Sequence, residues 1–379
     1  MIKRNLELNS LFELVEQFPV TCILGARQTG KTTLAKQLPF QHYFDLENPR
    51  DSAKLDQPQL ALENLEGLIA IDEIQRSPKL FQLIRYLVDS NKNQKYLILG
   101  SASRDLIRQS SETLAGRIAY FQLGGFRVRD INPNQFSSLW LRGGFPDSFI
   151  QNSEKASSRW RKNYITTFLE QDIPQLGIQV PANTLRRFWT MLSHYHGQVL
   201  NYAELGRAFG ISDMSIRKYI DILEGTFMIR VLQPWFSNLS KRIVKRPKIY
   251  FRDSGLFHSL ISIETIDQIY EHNKIGASWE GFAIEQACNC IGKDAQEYYF
   301  WRTHAGTEVD LFWQDAGKNW AIEFKYSDAP RLTPSMKNAI VDLNLAHLWI
   351  IYPGSTEYKI AKNISVIPLQ NLKDDWEYL

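Results

Sequence analysis

Cysteine is scarce in this sequence, which holds only Cys22, Cys288 and Cys290 in 379 residues. Three thiols cannot form a disulfide framework, and no CxxC pair indicates structural zinc. Long apolar runs are missing too: no stretch reaches membrane-spanning length, and the N-terminal segment MIKRNLELNSLFELVEQF has no apolar core of signal-peptide length. The sequence therefore predicts a protein of the reducing cytoplasm that has no membrane partner.

A strong net charge is also absent, because 44 Lys and Arg residues nearly balance 41 Asp and Glu residues and leave a formal charge of +3. This balance argues neither for nor against a nucleic-acid partner, so local clusters must decide. Apolar residues make up 44% of the chain and charged residues 22%, as in soluble globular proteins. This length and composition predict two or three domains with substantial cores.

The strongest motif is a glycine-rich loop in the segment PVTCILGARQTGKTTLAKQL. Val20 to Leu24 predict a buried strand, the next residues fit G-x-x-x-x-G-K-[ST], and an amphipathic helix follows. Backbone N–H groups of such a loop face phosphate oxygens, its lysine reaches the β- and γ-phosphates, and its hydroxyl ligates Mg²⁺. The pattern predicts ATP and Mg²⁺ as cofactors, held by Gly25, Ala26, Arg27, Gln28, Thr29, Gly30, Lys31 and Thr32.

Further segments supply the other groups of a nucleotide hydrolase beside Lys31. The strand pattern GLIAIDEIQ ends in Asp72, which can hold Mg²⁺, and Glu73, which can polarise the attacking water. KYLILGSAS places Ser101 at a strand end, where its hydroxyl can contact the γ-phosphate, although serine also simply ends strands. Arg117 can stabilise transition-state charge in its own or a neighbouring subunit, and a structural arginine is the alternative.

The first third of the chain also predicts an α/β fold. Strand patterns around Val20, His42, Leu68, Tyr96 and Ile118 alternate with helical segments. Such alternation is typical of a mostly parallel sheet with helices on both faces. The site is therefore expected at the carboxyl ends of the strands.

The middle of the chain predicts a helix-turn-helix followed by a β-hairpin. Tyr202 to Phe209 and Asp213 to Leu223 are helical patterns on either side of Gly210, and MIRVLQPW and PKIYFRD would supply the hairpin of a winged helix. Lys241 to Arg252 holds six basic residues and no acid, so it can neutralise phosphates. DNA is the expected partner, and a packing module or nucleotide-responsive lid is the alternative.

The C-terminal third carries spaced acids on a helix, a β-meander, a helix and a strand. Glu280 lies on GASWEGFAIEQACNCI, Asp310 on EVDLFW, and Glu323 and Lys325 on AIEFKYS. The order resembles the restriction-endonuclease-like core, in which the three acids would hold Mg²⁺ and the lysine would orient the attacking water. Glu308 is a second candidate ligand on the strand face of Asp310. A cross-strand ion pair on a half-solvated strand is the alternative.

The chain resembles the bacterial and archaeal AAA-type ATPases that carry a C-terminal domain of unknown function. The motifs that carry this resemblance are GARQTGKTTL, LIAIDEIQ, GSAS, LAGR, FLEQDI and YFRDSGLF. The resemblance implies that Gly25 to Thr33 form the Walker A loop, which adds Thr33 to the cofactor-binding residues. It also implies that Asp72 and Glu73 form the Walker B pair.

Together these features predict an α/β protein of three modules. They are a P-loop AAA-type ATPase domain at 1–147, a helical linker and winged helix at 148–255, and a restriction-endonuclease-like domain at 256–379. The expected function is Mg²⁺-dependent ATP binding and hydrolysis coupled to DNA engagement, in a chain that can form homo-oligomers. Two alternatives stay open: an ATP-regulated DNA nuclease, and a signalling or scaffold ATPase whose C-terminal modules bind protein.

Overall fold

The structure is a computed structural model that describes residues 2–100, 110, 112–175, 180–236, 244–373 and 376. Ser101, one of the predicted catalytic residues, lies outside the described residues, as do Lys241 and Arg242 of the basic run. The chain divides into two compact units. The first comprises Met1–Phe126, Phe145–Asp147 and Asp221–Met228, and the second comprises Arg127–Gly144, Ser148–Ile220 and Ile229–Leu379.

The first unit is built on a parallel sheet. Its described strands are β1 (Val20–Leu24), β2 (His42–Asp45), β3 (Gly67–Asp72), β4 (Gln94–Leu99) and β5 (Ile118–Gln122). They lie in the order β2-β3-β4-β1-β5, and each neighbouring pair is parallel. All the strands predicted for this third of the chain are present, and the predicted α/β class is confirmed.

Helices cover both faces of this sheet. They are α1 (Asn5–Gln17), α2 (Lys31–Ala35), α3 (Pro49–Lys54), α4 (Pro58–Leu62) and α5 (Leu80–Ser90). Cys22 packs with Ile84 of α5 in one core cluster, whereas the next residue, Ile23, packs with Leu11 of α1 and Leu34 of α2 in another. Successive strand residues point to opposite faces. Because both faces are covered, β1 is apolar or small throughout, and all of its residues are buried.

The rest of the chain holds further helices and strands. The helices are α6 (Phe136–Arg142), α7 (Pro146–Phe149), α8 (Glu154–Thr167), a π-helical turn (Phe168–Asp172), α9 (Ile173–Gln175), α10 (Ala182–Ser193), α11 (Tyr202–Phe209), α12 (Asp213–Gly225), α13 (Ser254–Leu260), α14 (Ile266–Glu271), α15 (Ile275–Ile291) and α16 (Pro334–Asp342). The strands are β6 (Gln198–Val199), β7 (Ile229–Pro234), β8 (Lys248–Phe251), β9 (Tyr299–Arg302), β10 (Glu308–Asp315), β11 (Lys318–Phe324), β12 (Leu345–Tyr352), β13 (Tyr358–Ala361) and β14 (Ile364–Pro368). Of the helices that the structure describes, none combines the length and apolar character that a membrane span requires.

The strands of the second unit join one mixed sheet. Within the described residues its order is β13-β14-β12-β11-β10-β9-β7-β8-β6. The hairpin β7–β8 is antiparallel, and β7 also runs parallel to β9 of the meander β9–β10–β11. The sequence predicted the hairpin and the meander separately, and their pairing was not predicted. This pairing places the first residue of β8, Lys248, in the same sheet as Asp310 and Glu323.

The two helices that the sequence predicted on either side of Gly210 are present. Helices α11 and α12 flank Gly210, whose φ of 66° is the left-handed conformation that ends α11. Asp253 caps α13, because its Oδ1 accepts a hydrogen bond from the backbone N–H of Leu256 at 2.8 Å. The elements of a winged helix are therefore present in order, while the assignment to that motif stays a prediction.

Candidate functional site

The loop between β1 and α2 folds back on its own lysine. Lys31 is buried, and its Nζ donates to the carbonyl oxygens of Gly25 at 3.0 Å and Ala26 at 2.8 Å. Burial lowers the pKa of Lys31 to about 8, opposed by the charges of Glu73 and Asp72. The ammonium thus lies inside the loop that would wrap a phosphate. A phosphate oxygen would offer it a charged acceptor in place of two neutral carbonyls.

The backbone of this loop includes two residues in the left-handed conformation. Gln28 and Gly30 adopt left-handed φ angles of 63° and 90°. Alternation between right- and left-handed residues produces the amide nests that bind anions. A Cβ at Gly25 would lie 2.2 Å from the carbonyl oxygen of Leu123, at the end of β5, so only glycine fits at this position. The spacing of the two motif glycines therefore has a direct structural reason.

The predicted magnesium ligands Thr32 and Asp72 lie in direct contact. The Thr32 hydroxyl donates to Asp72 Oδ2 at 2.7 Å, and the Tyr43 hydroxyl donates to the same oxygen at 2.9 Å. Burial, followed by the Asp72 charge, raises the pKa of Tyr43, so this hydroxyl stays a donor. Hydroxyl and carboxylate oxygens are the ligands that Mg²⁺ prefers, so this pair fits the ion. Tyr43 was not predicted, because a tyrosine on β2 carries no motif.

Glu73 holds an unusual backbone conformation beside this pair. Its φ of 56° is left-handed, which is uncommon for a residue with a side chain and is often found at functional sites. Its backbone N–H donates to Asp72 Oδ1 at 2.9 Å, and its carboxylate accepts a hydrogen bond from Gln75. Burial, followed by the charge of Asp72, raises the pKa of Glu73. A carboxylate with a raised pKa is a better proton acceptor, as a general base requires.

Arg4 contacts the phosphate loop, and the sequence did not predict this contact. This buried side chain donates to the carbonyl oxygens of Thr29 at 3.3 Å, Gly124 at 3.1 Å and Gly125 at 3.1 Å, and lies 3.5 Å from Glu7. It thereby ties the phosphate loop to the segment after β5. The sequence offered no signal for it, because one arginine in the polar run IKRNLE resembles a solvated residue.

Arg117 lies at the amino ends of the strands, whereas the phosphate loop of its own chain follows the carboxyl end of β1. Its carbonyl accepts from the backbone N–H of Val20 at 3.1 Å, and Val20 pairs with Ile118, so both strands start there. The phosphate loop follows Leu24, at the opposite end of β1, and each residue of a strand adds about 3.3 Å to this separation. The Arg117 guanidinium also forms a two-pronged ion pair with Asp89, at 2.7 and 2.8 Å. Its own chain does not bring Arg117 to this site, and a role in a neighbouring subunit stays a prediction.

The acids predicted in the C-terminal third come together in the second unit. We call the acidic pocket the group formed by Glu280 of α15, Glu308 and Asp310 of β10, and Glu323 of β11. Lys248 Nζ lies among these side chains, 3.3 Å from Glu280 Oε1, 3.4 Å from Asp310 Oδ1 and in contact with Glu308 Oε1. Among the residues that the structure describes, no group of three or more His, Cys, Asp or Glu side chains is arranged to hold a metal ion. Two of the predicted ligands, Glu280 and Asp310, and the second candidate Glu308 therefore contact an ammonium group.

The remaining members of the nuclease pattern make local contacts. Lys325 Nζ forms an ion pair with Glu323 Oε1 at 2.6 Å, and Glu323 Oε2 has no hydrogen-bond partner among the described residues. Burial, followed by the neighbouring charge of Asp310, raises the pKa of Glu280 to about 7 and that of Glu323 to about 8. Although burial opposes its charge, the carboxylates, Glu280 foremost, hold the pKa of Lys248 well above its usual value.

The basic run before and along β8 is less available to phosphates than its sequence indicates. Lys245 and Arg246 are exposed, but Lys248 is buried in the acidic pocket. Arg252 donates to Glu285 Oε2 at 3.0 Å. A run of cations without acids in the sequence is therefore partly neutralised by acids from distant parts of the chain.

Family comparisons divide the chain into successive segments. Residues 17–132 match an AAA domain, residues 133–267 match a domain of unknown function (DUF8612), and residues 275–372 match another (DUF4143). Two relatives, the uncharacterized proteins Rv2008c of Mycobacterium tuberculosis and Mb2031c of Mycobacterium bovis, are each 43% identical over 377 residues, which cover 98% of this chain and 85% of the relative. The chain belongs to their family, as an AAA ATPase with a C-terminal DUF4143 domain. ATP binding and hydrolysis are the activity of this AAA ATPase.

Solved structures similar to the AAA ATPase are more distant. The Walker-type ATPase PABY2304 of Pyrococcus abyssi is 17% identical, covers 69% of this chain and 96% of its own, and gives a TM-score of 0.45. A DNA replication initiation factor is 14% identical, covers 54% of this chain and 81% of its own, and gives a TM-score of 0.22. The resemblance drawn from the sequence motifs is confirmed by the family matches, whereas the bounds of the three predicted domains stay a prediction.

Proposed function

We propose that the AAA ATPase hydrolyses ATP with Mg²⁺ held by Thr32 and Asp72 and with Glu73 as the general base. The observation that carries this proposal is the 2.7 Å contact between Thr32 Oγ1 and Asp72 Oδ2, beside the buried Lys31. Thr32 and Asp72 would hold Mg²⁺, which would neutralise the negative charge that develops on the phosphate groups.

The protein groups then have separate tasks. Lys31 binds the β- and γ-phosphates, and loop N–H groups hold the same oxygens. Glu73 accepts a proton from the water that attacks the γ-phosphorus, while the bond between that phosphorus and the bridging oxygen of ADP breaks. The raised pKa of Glu73 suits it to accept this proton.

The magnesium assignment is tested by Asp72→Asn. The amide replaces one carboxylate oxygen and removes the charge, so we expect half-maximal ATPase activity to need at least about tenfold more Mg²⁺, roughly 1.4 kcal/mol of lost ligation. Asp56→Asn, at an exposed position in the same unit, is the control. An unchanged Mg²⁺ dependence in Asp72→Asn would remove Asp72 from the site.

We propose further that the second unit engages DNA through an exposed basic surface. This surface consists of Arg217 and Lys218 on α12 and of Lys245 and Arg246 before β8, all of which are exposed. The support is their exposure in a helix-turn-helix and hairpin arrangement, in which cations contact the phosphate backbone. No cleavage step is assigned to this unit, because Glu280, Glu308 and Asp310 of the acidic pocket are paired with Lys248.

A salt titration separates DNA engagement from a protein scaffold. Binding to a labelled duplex should weaken with salt, and Lys245→Ala/Arg246→Ala should reduce the slope of log K against log salt by about 2, roughly one for each phosphate that the variant no longer neutralises. The control Lys337→Ala/Lys362→Ala removes the same charge from exposed positions elsewhere in the unit. Equal slopes in wild type and the first variant, or no binding at low salt, would favour the scaffold.

A further inference from the structure

The number of hydrogen-bond donors on Lys248 equals the number of carboxylates that it contacts in the acidic pocket. Its ammonium carries three N–H donors, and three carboxylates lie around it: Glu280, Glu308 and Asp310. Lys248 is only 3% exposed, and its Nζ also lies 5.7 Å from the ring centre of Phe300. A buried charge is tolerated when it is paired and hydrogen-bonded, and here the pairing uses the full donor set.

Neighbouring groups hold these carboxylates in place. Asp310 Oδ2 accepts the backbone N–H of Phe324 at 3.0 Å, which leaves Oδ1 for Lys248. The Tyr250 hydroxyl donates to the same Glu280 oxygen that Lys248 contacts. Because Lys248 and Tyr250 are on one face of β8, the strand enters the pocket as a unit. The cation is therefore supplied by the hairpin and the anions by α15 and β10.

A divalent cation does not fit beside this ammonium. Mg²⁺ requires oxygen ligands at about 2.0–2.1 Å. In this pocket it would need the carboxylate oxygens of Asp310 and Glu280, which Lys248 already contacts. Two cations at this separation would repel each other in a poorly solvated site. The nuclease-like arrangement of acids and the position of Lys248 are thus in conflict, and the geometry decides for the lysine.

One atom shows that the pocket retains a cation-binding character. Glu323 is 7% exposed, and its Oε2 has no hydrogen-bond partner among the described residues. An unsatisfied buried carboxylate oxygen is costly and calls for an additional donor, proton or ion. Glu323 Oε2 therefore adds an unused acceptor to the three carboxylates that Lys248 contacts.

We propose that the Lys248 ammonium is the resident cation of the acidic pocket and excludes Mg²⁺ and Mn²⁺ from it. The carboxylates then hold β8 in the sheet, and they bind a divalent cation only when Lys248 is removed. This inference does not depend on ATP hydrolysis in the first unit.

The test is a Mn²⁺ titration of nucleotide-free full-length protein, with free Mn²⁺ followed by electron paramagnetic resonance. Wild type and Asp310→Asn should give the same binding isotherm, because the pocket takes no Mn²⁺ in either. Lys248→Met, which keeps an unbranched apolar side chain, should gain one Mn²⁺ per chain, and adding Asp310→Asn should abolish that gain. Lys245→Met is the matched control, since Lys245 is exposed in the same run, and it should gain none.

The outcomes decide the proposal in either direction. Mn²⁺ binding by wild type that Asp310→Asn abolishes would overturn it, as would a folded Lys248→Met that gains no ion. Circular dichroism establishes whether each variant is folded. If Lys248→Met unfolds both with and without Mn²⁺, the comparison of wild type with Asp310→Asn still decides, because a difference between them contradicts a pocket filled by lysine.

Discussion

At the scale of single residues, the proposed mechanism of hydrolysis rests on the carboxylate of Glu73. We predict that Glu73→Gln retains ATP affinity, because the amide is of similar size and Lys31 is unchanged. Its kcat should fall by at least about 10²-fold, the lower end of what general-base catalysis contributes. Steady-state ATPase assays and equilibrium binding of a fluorescent ATP analogue measure the two quantities.

The control for this variant is Glu66→Gln, at an exposed position outside the site. Loss of binding in Glu73→Gln would indicate that the left-handed turn at residue 73 had collapsed. Full activity in Glu73→Gln would show that another group takes the proton.

The pKa of Lys31 gives a pH prediction. In the nucleotide-free protein burial lowers it to about 8, and bound phosphates favour the ammonium and therefore raise it. Above pH 8 the Lys31 side chain is deprotonated in the nucleotide-free protein and protonated in the ATP complex. ATP binding therefore takes up a proton, and the affinity for ATP falls as the pH rises.

Calorimetry one pH unit above this value, in two buffers of different ionisation enthalpy, measures the proton uptake. Lys31→Arg keeps its charge at all these pH values and should bind without uptake. Equal binding enthalpies for wild type in both buffers would contradict the depressed pKa.

Two lysines show what the sequence predicts about single residues and what it does not. The role of Lys31 follows from local spacing, because strand, loop and helix are consecutive and fix its surroundings. Lys248 also lies in a clear pattern, a basic run, but its partners are 32 to 62 residues away in the chain. Local pattern therefore predicts the surroundings of Lys31, whereas it does not reveal that distant acids pair with Lys248 of the basic run.

At the scale of elements, a buried ion triad joins helix α15 to the hairpin β7–β8. Arg230 of β7 donates to Glu285 Oε2 at 3.1 Å, and Arg252, just after β8, donates to the same oxygen at 3.0 Å. Although burial raises it, the charges of Arg230 and Arg252 together hold the pKa of Glu285 below its usual value. The Glu285 carboxylate therefore stays ionised and links Arg230 of β7 to Arg252, which follows β8.

We predict that Glu285→Gln destabilises the protein by about 3–5 kcal/mol, because it leaves two buried arginines without their counter-charge. Urea unfolding followed by circular dichroism measures the change. Glu271→Gln, at an exposed position at the end of α14, should change stability by no more than about 0.5 kcal/mol. A similar stability for both variants would contradict the structural role of the triad.

Element positions were more predictable than element pairing. Apolar runs placed β1, β3 and β4, and the glycine at 210 separated α11 from α12. The parallel pairing of Gln233 with Tyr299 could not be predicted, because strand periodicity states which face is buried and not which strand lies alongside. The acidic pocket depends on that pairing, which is why its lysine was missed.

At the scale of the whole molecule, the central claim is that this AAA ATPase binds ATP through the phosphate loop that contains Lys31. Family membership is established over nearly the full chain, and the contacts of Lys31 inside the loop support the proposed role of this residue. Removal of the Lys31 ammonium should weaken ATP binding more than removal of a surface charge does, because this ammonium is buried among the loop carbonyls.

The most direct measurement is equilibrium ATP binding by wild type, Lys31→Ala and the exposed control Lys54→Ala in the presence of Mg²⁺. We predict at least about 100-fold weaker binding for Lys31→Ala, about 2.7 kcal/mol, with no measurable hydrolysis, and wild-type behaviour for the control. An unchanged ATP affinity in a folded Lys31→Ala protein would contradict the claim.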